Sequence, residues 1–168
     1  MRYFAPMLSL SLVLAVTGSM GEAHDNAPTD PRAQALLALG RAALAAGNVE
    51  AATDSFESAL TVDPGHAGTL VALGDAARKA GLPGKAIHYY RAALDADPND
   101  LAAIAGEGGA MAEKGALDKA RGELARLEGL CGKSCAETRS LADAIARGPA
   151  AKVVSADAVK PKPVAEAN

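Results

Sequence analysis

The sequence predicts an all-α fold built from one helical hairpin used several times over. Three observations predict it. Alanine, the best helix former, supplies about a quarter of the 168 residues. Aromatic residues make up only 3%, with no Trp, three Tyr and two Phe, which argues against a β-sandwich or barrel. Related residues also recur through the middle of the chain at a spacing of 34. Leu36 falls on Leu70 and Ile104, Gly40 on Gly74 and Gly108, and Gly47 on Gly81 and Gly115. Ala52 falls on Ala86 and Ala120, Phe56 on Tyr90 and Leu124, and Asp63-Pro64 on Asp97-Pro98. The length suits one domain, and the formal net charge is -3. No basic patch with interleaved aromatics is present, so nucleic acid is not an expected partner.

Residues 1–23 read as an export signal. Arg2 supplies the positive start, an apolar stretch from Phe4 to Val16 is interrupted by Pro6, and small residues follow. Gly21-Glu22-Ala23 is a small-x-Ala cleavage site, so His24 is expected to begin the mature chain, which would be periplasmic or secreted. The apolar run is short for a membrane span, so no stable span is expected after cleavage. An uncleaved N-terminal anchor is the alternative, and a lipid anchor is unsupported because no Cys follows the run. Residues 24–31, polar with two Pro, read as a linker.

The repeat region spans 32–147. In the first unit, 33–66, Leu36, Leu39 and Ala43 are expected on one face of a first helix. Gly40 lets the second helix approach closely, and Gly47 ends the first helix. Ala52, Phe56 and Ala59 form one face of the second helix, where the alanines make room for the ring. Pro64 stops that helix. Residues 67–100 repeat this pattern, and 101–132 repeat it in degenerate form. A last helix over 135–147 is expected to turn Leu141 and Ile145 inward and Glu137, Arg139, Asp143 and Arg147 outward, as a cap. Residues 148–168, with three Pro and three Lys, read as a disordered tail. Its Lys160-Pro-Lys-Pro is a candidate partner motif beside the simpler reading of a solvated tail.

These matched positions resemble the tetratricopeptide repeat, a helix-turn-helix unit of period 34, over roughly 115 residues. The leader gives the chain the look of an exported bacterial member. The large aromatics common early in the first helix are missing, and Leu36, Ala43, Leu70 and Ala77 stand there instead. The resemblance implies an α-solenoid of three hairpins plus a cap, whose first helices line a concave groove for a peptide or helix. Carried over position by position, Gln34, Leu37, Arg41 and Leu44 would face that groove from the first unit. Val71, Asp75 and Arg78 would do so from the second, and Ala102, Ala105, Gly109 and Ala112 from the third. The carboxylate-binding subset of the family uses Lys and Asn at set groove positions. Leu37 and Arg41 stand at the first two here, so that pattern is absent. The implied partner segment has a small apolar face and an acidic residue for Arg41 or Arg78; a merely solvated charged face is the alternative. Glu107 stands where the other units have Leu39 and Leu73, among Gly106, Gly108 and Gly109. It reads either as part of a mobile groove wall receiving a basic or polar group, or as a residue of a degenerate end unit reaching solvent.

Cys131 and Cys135 are four apart. In an unbroken helix their Cβ atoms would lie about 6 Å apart, too far for a bridge that needs about 4 Å. A disulfide therefore needs the helix to break, which Gly132 allows, and export favours oxidation. Two buried thiols, or a redox or metal site, are the other readings, although the spacing is not C-x-x-C and no second Cys pair completes a zinc site. No other constellation points to chemistry. His24 could chelate copper only with a second His brought near, His66 reads as a solvated turn residue, and His88 as an outer-face residue. Gly106-Glu-Gly-Gly follows no strand and lacks the Lys-Ser/Thr of a phosphate loop. The expectation is a protein without metal, cofactor or enzymatic activity: an envelope adaptor that binds another protein. The alternative is a structural subunit of an envelope, pilus or secretion assembly, or a homo-oligomer.

Overall fold

A computed structural model of the chain describes residues 30–149. The predicted leader, most of the linker and the tail from 150 onward lie outside the described residues. Among these residues the chain forms α1 (Pro31–Ala45), α2 (Val49–Val62), α3 (Ala67–Lys79), α4 (Pro83–Ala96), α5 (Leu101–Glu113), α6 (Leu117–Cys131) and α7 (Ala136–Arg147).

Local chemistry sets the helix ends. The Asp30 carboxylate accepts the Arg32 N–H at 2.8 Å at the start of α1, and Asp100 accepts the Ala103 N–H at 2.9 Å at the start of α5. His66, expected to be a solvated turn residue, instead caps α3: its Nδ1 accepts the Thr69 N–H at 3.0 Å, and the ring is half-buried. The first helix of each hairpin ends at a glycine with positive φ, at 83° for Gly47, 72° for Gly81 and 82° for Gly115.

The helices pair as α1–α2, α3–α4 and α5–α6, each hairpin stacks on the next, and α7 lies against both α5 and α6. Phe56 and Tyr90 are fully buried and hold the array together. The Phe56 ring lies against Gly40, where a Cβ would collide with it. The Tyr90 ring is flanked by Gly74 of α3 and Gly106 of α5, and a Cβ on either would collide with it. The third unit closes differently. Gly108 makes room for Leu141 of α7, where an added Cβ would sit 2.7 Å from Leu141 Cδ2. Ile104, Leu127 and Leu141 form the core there, so the cap supplies what the degenerate unit lacks.

Two expectations about α1 are corrected. Leu39, expected inside, is 59% exposed, and the buried residues are Ala33, Leu37, Gly40 and Leu44. Leu37, expected in the groove, packs in the core with Phe56 and Leu73. For Leu39 the reason is the position of α1 at the end of the array. In α3 the Leu39 equivalent, Leu73, is buried against the preceding hairpin, and no described residue precedes α1 in that way.

Candidate functional site

The first helices α1, α3 and α5 lie side by side. Between them sits a concavity of about 360 Å³ lined by Leu44, Asp75, Arg78, Lys79 and Glu113. Arg78 crosses from α3 to α5, donating to Glu113 Oε1 from Nε at 3.1 Å and from Nη2 at 2.6 Å. Gly109 gives it passage, since a Cβ there would lie 2.8 Å from Arg78 Nη2. Burial works against the Arg78 charge, but Glu113 and Tyr90 outweigh it and hold its pKa above the usual arginine value. Lys79 Nζ donates to the Leu44 carbonyl at 3.1 Å, tying α3 to α1. The Tyr90 hydroxyl donates to Asp75 Oδ1 at 2.6 Å.

The structure thus brings together Leu44, Asp75 and Arg78 of the expected groove residues. Arg41 is exposed one turn before Leu44, and Gln34 is exposed two turns before Arg41. Val71 is half-buried beside Tyr89, Ala102 is exposed, Ala105 is half-buried, and Gly109 and Ala112 are buried. Lys79 and Glu113 were missed. The repeat does not mark them, because Arg78 and Glu113, like Leu44 and Lys79, are separated by 35, one residue more than the period.

Glu107 takes neither expected place. It is buried, and its Oε1 accepts from Arg91 Nε of α4 at 2.7 Å. It therefore belongs to the packed layer between α4 and α5 and not to the groove. Glu123 of α6 is close enough to feel its charge. Burial first, and then the Glu107 carboxylate, raise the Glu123 pKa above the ordinary carboxylate value, while Arg126 and Arg91 oppose the shift. The folded chain accordingly holds the Glu123 proton more tightly than the unfolded chain does. Glu123 therefore destabilises the fold at neutral pH, and that loss is recovered as pH falls through its raised pKa toward the unfolded value. Glu123→Gln is expected to raise the thermal midpoint at pH 7, with the gain shrinking as melts are repeated at progressively lower pH.

Cys131 ends α6 and Cys135 precedes α7; between them Gly132 breaks the helix at φ 85°. Their sulfurs stand in disulfide geometry, with Cα atoms 5.8 Å apart. Among the described residues one metal-capable group occurs, Cys131, Cys135 and Glu137, and in this arrangement its two sulfurs face each other. No described helix is long and apolar enough to cross a membrane.

A family model described as tetratricopeptide repeat matches residues 22–67 and 71–134. No curated protein matches the chain. Its fold is similar to the solved Sgt2 TPR domain from Aspergillus fumigatus, with TM-score 0.64 and 23% identity over 86% of this chain and 93% of that one. It is also similar to the first TPR of Spaghetti (RPAP3) bound to the HSP90 peptide SRMEEVD, with TM-score 0.61 and 18% identity over 68% of this chain and 94% of that one. The first TPR domain of human RPAP3 gives TM-score 0.62 and 18% identity over 69% and 94%.

Proposed function

Because the chain belongs to the tetratricopeptide repeat family, we propose that it is a non-enzymatic adaptor of the cell envelope that holds a peptide or helix of another protein on its concave face. The observation that supports this most is the concavity between α1, α3 and α5, where apolar Leu44 lies beside Asp75, Arg78, Lys79 and Glu113. Such a mixed lining suits a segment with one small apolar face and a few polar groups. The Spaghetti domain is described with an HSP90 peptide bound, but an acidic chain terminus is not the favoured occupant here. Leu37 and Arg41 replace the clamp residues, Leu37 is buried, and Arg78 is already held by Glu113. Exposed Arg41, one turn before Leu44, and Lys79 in the concavity itself, whose ammonium donates to the Leu44 carbonyl, are the cations offered to an acidic residue of the partner.

A photoreactive residue at exposed Ala45, beside Leu44, tests the reading in the native cell. One dominant heterologous crosslink, reduced several-fold by Arg41→Glu, is the expected result; equal labelling of many proteins, unchanged by Arg41→Glu, would count against it. Arg41 is the better site for this charge reversal, because Arg78→Glu would also break the brace to Glu113.

The envelope setting rests on the leader of residues 1–23, and the N-terminal sequence of the purified protein should begin at His24. In that oxidising compartment we read Cys131 and Cys135 as a disulfide that pins the cap α7 to the end of α6. Denatured, unreduced protein is expected to show no reactive thiol. Reduction is expected to lower stability by about 2 kcal/mol.

A further inference from the structure

The chain leaves α7 at the rim of the concavity. Gly148, with φ 67°, ends the helix, and Pro149 lies beside Gly115, where an added Cβ would sit 3.8 Å from Pro149 Cγ. Gly115 is two residues past Glu113, which lines the concavity from α5. Residues 150–168 start from that point and lie outside the described residues. The concavity holds carboxylate oxygens with bonding capacity to spare. Both Arg78 bonds go to Glu113 Oε1, and the Tyr90 hydroxyl donates to Asp75 Oδ1. Glu113 Oε2 and Asp75 Oδ2 accept no hydrogen bond from the described residues, and both side chains are exposed. From the rim inward the concave face therefore offers a carboxylate on α5, a carboxylate on α3 and apolar Leu44 on α1, with the cation Arg41 one turn before Leu44.

We propose that residues 160–166 of the chain's own tail occupy this concavity when no partner is bound, an inference that rests on the concave face being the binding face. The order of residues matches. Alternate side chains of an extended backbone point the same way, which would place Lys160, Lys162, Val164 and Glu166 on one side and Pro161, Pro163 and Ala165 on the other. Lys160 then meets Glu113, Lys162 meets Asp75, Val164 meets Leu44, and Glu166 meets Arg41 or Lys79. The length matches as well. Six extended residues span about 20 Å, and the two intervals from α5 across α3 to α1 amount to about 16–20 Å. Residues 150–159 leave ample chain to bring Lys160 from Pro149 to Glu113. Lys160 and Lys162 each precede a proline, a setting that favours extended backbone, so less conformational freedom is lost on docking. Charge selects the direction: reversed, the segment would set Glu166 against Glu113 and Lys160 against Arg41. A partner must displace the tail, which lowers its apparent affinity by the fraction of chains whose concavity is open.

The test places a photoreactive residue at exposed Ala45, beside Leu44, in the purified full chain at high dilution and without any partner. A crosslink to residues 160–168, at the mass of a single chain, is the expected result. Lys160→Glu with Lys162→Glu should reduce it several-fold; both changes lie outside the described array and leave its packing untouched. Asp75→Asn, whose amide oxygen can still accept the Tyr90 hydroxyl, should reduce it too, with a circular dichroism melt showing that the variant folds. No crosslink to the tail overturns the proposal, as does a crosslink indifferent to the lysine reversals or one found only at the mass of two chains. The same residue at Ala45 in the native cell separates this inference from the adaptor reading. A heterologous crosslink that rises several-fold when Lys160 and Lys162 are reversed supports both. A heterologous crosslink in the cell with no tail crosslink in the purified chain overturns the tail inference alone. A tail crosslink with no heterologous partner, even in the reversed chain, overturns the adaptor reading and leaves the tail as the occupant.

Discussion

Tyr90→Ala is expected to cost about 3–5 kcal/mol and to uncouple the third hairpin and cap from the rest of the array. The Tyr90 ring is fully buried, and the residues facing it from α3 and α5 are Gly74 and Gly106. Neither glycine has a side chain that could move into the space, so the cavity closes only if the helices themselves move together. Collapse of that kind is incomplete in a packed interior, which places this truncation at the costly end of its class. Stability in a stacked array is approximately the sum of unit and interface contributions, and this ring sits at the interface between the second and third units. Tyr90→Phe separates the ring from its hydroxyl. That variant loses the 2.6 Å bond to Asp75, whose exposed carboxylate can return to water, and is expected to cost about 1 kcal/mol. Burial, and then the Asp75 carboxylate, push the phenol pKa far above its ordinary value, so the hydroxyl remains a donor throughout the working pH range. Urea unfolding followed by circular dichroism measures both variants. If Tyr90→Ala proves no worse than Tyr90→Phe, the ring is not what joins the units.

The helix ends were legible in the sequence because they are decided by residues within a few positions. Gly47, Gly81 and Gly115 repeat at one register and all adopt positive φ; the caps Asp30 and Asp100 are just as local, but they were not read from the sequence, which placed Asp30 in the linker. The Phe56 and Tyr90 positions were legible for a related reason: a large ring recurring opposite Gly40 and Gly74 implies one packing solution used twice. What could not be read depends on neighbours that the period itself does not specify. Leu39 fits the pattern of an inward residue, yet its exposure is set by what precedes the first unit. The groove pairs Arg78–Glu113 and Lys79–Leu44 fall one residue off the repeat, so comparison of equivalent positions passes over them. Leu37 is buried because it packs with Phe56 and Leu73 where the first two hairpins meet, at a register where Val71 and Ala105 are also partly covered. Glu107 was visible as an anomaly, but its partner Arg91 lies sixteen residues earlier, on another helix.

That anomaly yields the second large effect. Glu107 occupies the register of Leu73, a core position, with its side chain 6% exposed, while the Arg91 side chain that pairs with it is 60% exposed. Breaking a fully buried ion pair from one side typically costs 3–5 kcal/mol, because the remaining charge is stranded. Here the two sides are unequal. Arg91→Ala strands a carboxylate that has little access to water and is expected to cost about 2–3 kcal/mol, a value reduced for the solvent already around the guanidinium. Glu107→Leu strands only an arginine that can extend into solvent, and it restores the residue type found at this register in the first two units. It is expected to be neutral or to stabilise by about 1–3 kcal/mol. The double variant should match Glu107→Leu alone, since Arg91 has nothing left to neutralise, and that departure from additivity measures the coupling. Denaturant midpoints at pH 7 for the four proteins complete the cycle. A loss below about 0.5 kcal/mol for Arg91→Ala would mean that Glu107 finds water without its partner. Glu107→Leu also removes one of the two influences that raise the Glu123 pKa and leaves burial as the other. The gain from Glu123→Gln at neutral pH should therefore be smaller in the Glu107→Leu background than in the parent, which links the buried pair on α4 and α5 to the carboxylate on α6.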